Sequence, residues 1–224
     1  MITRQLKSNI HITKDNSRET IICTATGDRL ARVCQFAISH SLSGLEFAAG
    51  IPGTIGGAIM MNAGTQSGDM AKIIESIEIL DKETLLFKTI ERKDLDFSYR
   101  QLNISGIIVE AKLSLKQKNR KHIEQIFKQT LNQKKATQPL TFASAGCFFK
   151  NPDSGKSAGE LIEKSGLKGI KIKDAMVSKT HANFIVNTNK ASCNDILLLK
   201  HKIQKTVFKK FNIKLKTEVR MEGE

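Results

Sequence analysis

Between Gly44 and Gly64 the chain runs Gly-Leu-Glu-Phe-Ala-Ala-Gly-Ile-Pro-Gly-Thr-Ile-Gly-Gly-Ala-Ile-Met-Met-Asn-Ala-Gly, and no other stretch limits the fold as strongly. A glycine inside a helix costs about 1 kcal/mol against alanine, so this density is wrong for an ordinary helix. Polar residues are too few for a linker. The segment therefore predicts buried backbone, packed so closely that side chains would obstruct it. It contains neither Gly-x-Gly-x-x-Gly after a strand nor Gly-Lys-Ser/Thr, so a Rossmann or P-loop site is not supported. Gly53, Gly56 and Gly57 could still offer backbone amides to a phosphate or a planar ring, and both readings stay open here.

A chain of 224 residues with 40% apolar content can bury a sizeable core, and two lobes are expected. The longest apolar runs, Leu45 to Ala49 and Ile55 to Met61, are short and glycine-rich, which predicts no membrane span. Met1-Ile-Thr-Arg-Gln-Leu-Lys lacks the apolar centre of a signal peptide, so the expected location is the cytoplasm. The four cysteines (Cys23, Cys34, Cys147, Cys193) show no Cys-x-x-Cys pair and no histidine at ligand spacing, arguing against a disulfide framework and a metal site. A net charge of +14 invites a nucleic-acid reading. Against it, the excess is mostly scattered lysine, and one Tyr with no Trp leaves little for base stacking. Solvated faces and anionic small ligands account for the charge instead.

Ile21 to Ala25 predicts a strand, and Asp28 then opens a helix carrying Leu30, Val33, Cys34, Ala37 and Ile38 at helical spacing. Strands are expected at Ile74 to Leu80 and Gly106 to Leu115, with a turn at Lys82-Glu83. An amphipathic helix over 118–135 buries Ile123, Ile126, Phe127 and Leu131 and marks a lobe boundary, giving domains 1–116 and 117–224. Ser157-Ala-Gly-Glu160 has the form of a capping box, with Leu161 and Ile162 behind it and Gly166 ending the helix. A strand at Asn183 to Asn187 precedes a helix from about Asn194 to Phe211 that turns Ile196, Leu199, Ile203, Val207 and Phe208 inward. The strict alternation of Ile213 to Glu222 predicts a last strand, with Ile213, Leu215, Val219 and Met221 on one face and Glu218 and Arg220 on the other.

Chemistry concentrates at three ionisable residues. Ala145-Gly-Cys-Phe-Phe-Lys-Asn-Pro152 sets a thiol beside a permissive glycine, in a turn. Phe97-Ser-Tyr-Arg100 ends on a cation, and Glu218 lies in the C-terminal alternation. Each has a plainer alternative: Cys147 an inert core thiol, Arg100 a surface ion-pair partner, Glu218 a solvated strand residue. His181, before a strand, could equally be a surface imidazole.

Several stretches, in order along nearly the whole chain, resemble the UDP-N-acetylenolpyruvoylglucosamine reductase family. They are Gly44 to Gly57, Met61-Asn-Ala-Gly64, Phe97-Ser-Tyr-Arg100, Gln138-Pro-Leu140 with Ala145 to Pro152, Ala158-Gly-Glu-Leu-Ile-Glu163, His181-Ala-Asn-Phe-Ile-Val-Asn187 and Glu218-Val-Arg220. The resemblance implies an α+β protein: a truncated FAD-binding lobe of the PCMH type, vanillyl-alcohol-oxidase-like, followed by an α+β substrate-binding lobe. It implies NADPH as reductant and UDP-N-acetylglucosamine enolpyruvate as substrate. Arg100, Cys147 and Glu218 match the family's catalytic positions, with Cys147 standing where the family usually has a Ser that returns a proton. By the same matching Gly53, Thr54, Gly56, Gly57 and Asn62 fall to the cofactor, and Tyr99, Lys135, Asn151 and His181 to the UDP-sugar. The family's glycine-rich FAD pyrophosphate loop is expected upstream, Ile2 to Ile12 resembling the stretch just after it. That expectation leaves a second reading, a remnant that binds UDP-sugar without flavin chemistry. The chain departs from the family pattern at Thr65-Gln66-Ser67, Leu102 and Glu222.

Overall fold

The computed structural model of the chain describes residues 10–16 and 19–223, so the expectation attached to Ile2 through Ile12 lies mostly outside the described residues. The chain divides into two compact units, Met1–Asn132 and Gln133–Glu224.

The first unit runs β1 (His11–Asp15), β2 (Thr20–Ala25), α1 (Leu30–Ser39), β3 (Leu42–Ser43), α2 (Ile55–Met60), β4 (Gly64–Thr65), β5 (Gly68–Asp69), β6 (Ile74–Leu80), β7 (Phe87–Glu91), β8 (Asp96–Ser98), β9 (Gln101–Asn103) and β10 (Ile107–Gln117). Its main sheet is antiparallel in the order β1-β2-β10-β6-β7, with β3 on the far end of β10. Register follows the apolar alternation: Leu113 lies opposite Ile22 and Ala111 opposite Ile77, so one face is continuous hydrocarbon. Leu30, Val33 and Ala37 of α1 and Ile55 and Ile59 of α2 close over that face in one cluster. Asp28 does not cap α1, whose N-cap is Arg29. Buried Asp28 instead accepts from Thr24 Oγ1 (3.1 Å) and Arg32 Nη1 (2.9 Å), tying β2 to the helix. Leu102, one of the departures noted above, is absorbed into this core.

Helix α3 (Arg120–Thr137) crosses the division between the units. Ile123 and Phe127 join the first core, but Leu131 is 38% exposed, because it falls at the very end of that unit.

The second unit holds β11 (Ala143–Cys147), α4 (Ala158–Lys164), β12 (Lys171–Ile172), β13 (Ala175–Val177), β14 (Phe184–Asn187) and α5 (Cys193–Phe211), with an antiparallel sheet ordered β11-β14-β13-β12. Leu199, Ile203 and Val207 of α5 pack with Leu161, Ile162 and Phe149. Phe208 sits about 100° around the helix from Val207 and is 42% exposed, against expectation. Ser157 caps α4 through the Glu160 N–H (3.1 Å), but only half of the predicted box forms, since the Glu160 carboxylate pairs with Lys164 (2.7 Å). A complete box, unforeseen, starts α5: Ser192 Oγ accepts from the Asp195 N–H and Asp195 Oδ2 from the Ser192 N–H.

The predicted C-terminal strand is not a strand. Residues 213–223 run without regular structure, apart from one bridge between Phe149 and Thr217. The facing still alternates where a neighbour exists: Leu215 is buried and Ile213 and Val219 half-buried, while Met221 is out in solvent. Alternation encodes which side faces in, whereas a ladder needs a partner strand of matching length.

Candidate functional site

Thr54 caps α2, its Oγ1 accepting from the Gly57 N–H (3.3 Å), which is how a glycine-rich stretch comes to hold a short helix after all. The glycines then divide by role. A Cβ on Gly56 would stand 2.8 Å from Thr26 Cβ and 3.2 Å from its carbonyl oxygen, so this glycine is close packing. Gly53 (φ +123°) has open space where a Cβ would be, and Gly57 is exposed too. The segment is thus not buried throughout. The amides of Ile55, Gly56 and Gly57 already bond to Asp28, Thr26 and Thr54, so phosphate binding by the Gly56 and Gly57 amides is not what this backbone offers. It offers side-chain-free surface at Gly53 and Gly57, with the Thr54 hydroxyl between them turned to the Gly57 N–H.

Asn62 is spent within the protein. Buried at φ +37°, it donates from Nδ2 to the Ser98 carbonyl (3.1 Å) and accepts at Oδ1 from the Ala71 N–H (3.0 Å). That places it directly under the β8–β9 hairpin, whose two-residue loop is Tyr99-Arg100. Arg100 has φ +58°, a conformation costing a non-glycine residue about 1–2 kcal/mol. Its Nη1 donates to the Gly64 carbonyl (3.0 Å), and its guanidinium lies 5.3 Å over the Tyr99 ring. Strain held by two anchors is the mark of a positioned group. Tyr99 itself is 51% exposed.

In the second unit, Cys147 lies at the end of an edge strand, not in a turn. A bulge interrupts the β11–β14 ladder between Ser144 and Cys147, where Gly146 takes φ +85° with open space beside it. Cys147 is half-buried against Met176, Phe184 and Val186. From here all four backbone groups of the next two residues are engaged. The Phe148 N–H donates to the Asn183 carbonyl (2.7 Å) and the Phe148 carbonyl accepts from the Glu218 N–H (2.9 Å). The Phe149 N–H donates to Asn183 Oδ1 (3.0 Å) and its carbonyl accepts from Asn183 Nδ2 (2.8 Å). Glu218, half-buried, therefore hangs on the residue that follows Cys147.

Asn151 Oδ1 accepts from the Ala158 N–H (3.0 Å) at the start of α4, and Gly159 lies against the ring of His181. His181 Nδ1 accepts from the Asn183 N–H (3.2 Å), so the neutral ring carries its proton on Nε2. Burial first, then the Lys168 charge, pushes its pKa below the ordinary 6.5. Cys147, Asn151, His181 and Glu218 thus gather around Phe148 and Phe149. Lys135 stands exposed in the last turn of α3. Asn183 is not marked as a site residue by the sequence, because an asparagine beside a turn carries no sign that its partner lies 34 residues away.

The four cysteines form no disulfide. Burial and a hydrogen bond to Glu110 push the Cys23 thiol up to about 12, so it stays protonated. Among the described residues no group of His, Cys, Asp and Glu could hold a metal ion, and no helix is long and apolar enough to cross a membrane.

Comparison with known proteins covers both units. Residues 2–89 match the family model of an FAD binding domain, and residues 138–222 that of the UDP-N-acetylenolpyruvoylglucosamine reductase C-terminal domain. A UDP-N-acetylenolpyruvoylglucosamine reductase of Desulfosudis oleivorans is 37% identical over 91% of this chain and 67% of its own length. One from Prochlorococcus marinus is 41% identical over 96% of this chain and 73% of its own. The crystal structure of the Thermus caldophilus reductase superposes with a TM-score of 0.79 at 37% identity, over 88% of this chain and 71% of that one. The chain spans about two thirds of the length of the curated relatives it matches.

Proposed function

This chain belongs to the UDP-N-acetylenolpyruvoylglucosamine reductase family, and we propose on that premise that it reduces UDP-N-acetylglucosamine enolpyruvate to UDP-N-acetylmuramate with NADPH, a step of peptidoglycan synthesis. The observation that carries the reading is the coupling of a thiol and a carboxyl group through one dipeptide, Cys147 preceding Phe148 and Glu218 bonded to it.

Bound FAD would supply the hydride, taken from NADPH and delivered to the terminal enolpyruvyl carbon; Gly53, Thr54 and Gly57 are the residues that would face its ring. As that carbon gains hydride, negative charge builds on the substrate carboxylate. Arg100, already fixed in direction by Gly64 and Tyr99, neutralises it, and the Glu218 carboxyl would assist through a proton of its own or one shared with the substrate. Cys147 Sγ–H then passes its proton to the middle carbon and is left as thiolate, to be reprotonated from solvent. A thiol with a pKa of about 8.5 is a far stronger acid than a serine hydroxyl, so the exchange at this position keeps the role. Asn151, His181 through Nε2–H, Tyr99 and Lys135 receive the UDP-sugar, lysine as point charge for the diphosphate. Both substrates are soluble anions of the cytoplasm, the location that goes with this reading.

The test uses the purified chain with FAD. A flavin absorbance that stays with the protein and NADPH oxidation that depends on the enolpyruvyl substrate support the reading. A chain that stays colourless and shows no substrate-dependent oxidation defeats it, and UDP-sugar binding without flavin binding would then favour the remnant.

A further inference from the structure

We propose that Asn183 is the positioning residue of the proton-transfer centre, setting Cys147 and Glu218 relative to one another through the backbone of Phe148 and Phe149; the catalytic part of this claim rests on the reductase reading above.

The argument starts from a gap in a ladder. Cys147 pairs with Phe184, and Phe148 bonds to the Asn183 carbonyl, so the next partner in an antiparallel ladder would be Ala182. The chain has turned away by then: the Phe184 N–H closes onto the His181 carbonyl (3.0 Å), folding residues 181–184 into a turn. Phe149 is almost wholly buried, and a buried N–H and C=O cannot be left without partners. The primary amide of Asn183 supplies both at once, accepting at 3.0 Å and donating at 2.8 Å, as a peptide group would. At neutral pH only an amide side chain presents a neutral acceptor and donor side by side, and glutamine is one methylene longer than the asparagine that fits this turn. Asn183 is 4% exposed, so water cannot substitute for it.

On the opposite edge of the same dipeptide hangs the C-terminal segment. The Glu218 N–H bonds to the Phe148 carbonyl and the Lys150 N–H to the Lys216 carbonyl, each at 2.9 Å. Leu215 anchors this segment in the core and accepts at its carbonyl from Gln204 Nε2 (2.8 Å), but around Glu218 the backbone partners are residues 148–150. If the dipeptide shifts, the thiol on one side and the carboxyl on the other move out of step. Asn183 is also the link to His181, whose Nδ1 accepts its N–H. The sugar-side histidine and the proton donor are thereby joined through a residue that touches no substrate.

Asn183→Ala and Asn183→Asp test this. Deuterium exchange of the Phe149 and Glu218 amides and peptide-resolved alkylation of Cys147, with exposed Cys193 as internal reference, need neither flavin nor turnover. Both are expected to rise by about fivefold or more in Asn183→Ala, while Leu199 and Ile203 amides in α5 stay protected and show that the fold is intact. Unchanged exchange and unchanged Cys147 alkylation overturn the proposal. In turnover, kcat for the enolpyruvyl substrate is expected to fall about 100-fold with KM and flavin reduction by NADPH within about twofold. Asn183→Asp adds a readout that lost stability alone would not produce. Its carboxylate repels the Phe149 carbonyl, but its protonated form restores one acceptor and one donor, so kcat relative to wild type should recover as pH is lowered. A flat ratio across pH, or a kcat equal to wild type in either variant, sinks the positioning role. Wild-type chain without any turnover would instead count against the reductase reading, and the exchange and alkylation results would still decide whether Asn183 holds the dipeptide.

Discussion

Single residues in this protein differ in reactivity because of what surrounds them. Cys23 and Cys34 are buried, and Cys23 is held as a thiol with its pKa near 12, whereas Cys147 is half-buried beside the open bulge at Gly146. Mass-resolved alkylation of the native chain should therefore mark Cys147 and Cys193 and spare Cys23 and Cys34. Cys147→Ser should retain enolpyruvyl reduction, and Cys147→Ala should lose it by about 100-fold or more while the flavin is still reduced by NADPH, measured by stopped-flow absorbance. His181 has a pH signature of its own. Its folded pKa lies below the ordinary 6.5, so above about pH 6.5 the ring is neutral in both states and contributes no pH dependence. Below that pH the unfolded chain takes a proton that the folded chain resists, and stability falls until the lower folded pKa is passed. Urea unfolding between pH 7 and pH 5 should show His181→Gln losing less stability than wild type, since the ring's burial, followed by the Lys168 charge, causes the shift. The thiol, the cation and the carboxyl each stand in an ordered motif visible in the sequence, but the bond that couples Glu218 to the residue after Cys147 is visible only in the fold. Asn62 was read as a cofactor contact, yet both ends of its amide hold neighbouring backbone. The identity of a polar residue is visible in a sequence, but where its hydrogen bonds go depends on chain brought close by the fold.

At the scale of elements, periodic patterns were the most legible part. Ile74–Leu80 forms over its predicted span, and β10 and α5 differ from prediction by a residue or two, because each has a long apolar repeat whose facing is set locally. Short pieces were not legible: the β4–β5 and β8–β9 hairpins are two or three residues per strand, too short for any period to show. The C-terminal segment went the other way, having the alternation of a strand and only two backbone bonds to a partner. Gly64 shows what such small elements require. A Cβ there would meet Asp69 Cβ at 2.5 Å and the Gly68 carbonyl oxygen at 2.7 Å, and its own carbonyl anchors Arg100. Gly64→Ala must open the β4–β5 hairpin, costing about 1–3 kcal/mol of stability, and should weaken enolpyruvyl reduction by moving Arg100. Thermal unfolding combined with steady-state kinetics would check both effects. In α5, Ser192→Ala removes the N-terminal cap from the 19-residue helix and should cost about 1 kcal/mol in urea unfolding without altering flavin binding.

Taken whole, the described residues carry three hydrophobic clusters: one closing the six-stranded sheet, one packing α5 in the second unit, and a small one of Met176, Phe184 and Val186 beside Cys147. The surface proposed to face the cofactor, at Gly53, Thr54 and Gly57, lies in the first unit, and the dipeptide Phe148-Phe149, to which Glu218 and Asn183 bond, lies in the second. That division of labour makes a prediction about ligand-dependent protection. A ligand slows amide exchange most where it removes the local openings that precede exchange, and these are cheapest in segments with few buried contacts. The exposed backbone around Gly53 and the bulged edge at Gly146 are two such segments. Deuterium exchange with FAD alone should therefore slow amides near residues 53–57 and leave residues 143–151 as they are in the free chain. The nucleotide-sugar alone should do the reverse, protecting 143–151 and the turn at 181–184. Protection of the second unit by FAD alone, or of the 53–57 backbone by the nucleotide-sugar alone, would show that the ligands are not divided between the units in this way. Wild-type anion attraction offers no shortcut to the same pattern: with a net charge of +14 both anionic ligands gain affinity from the whole surface, but that gain is screened by salt. Repeating the exchange at higher ionic strength should weaken both affinities while leaving the two protection maps distinct.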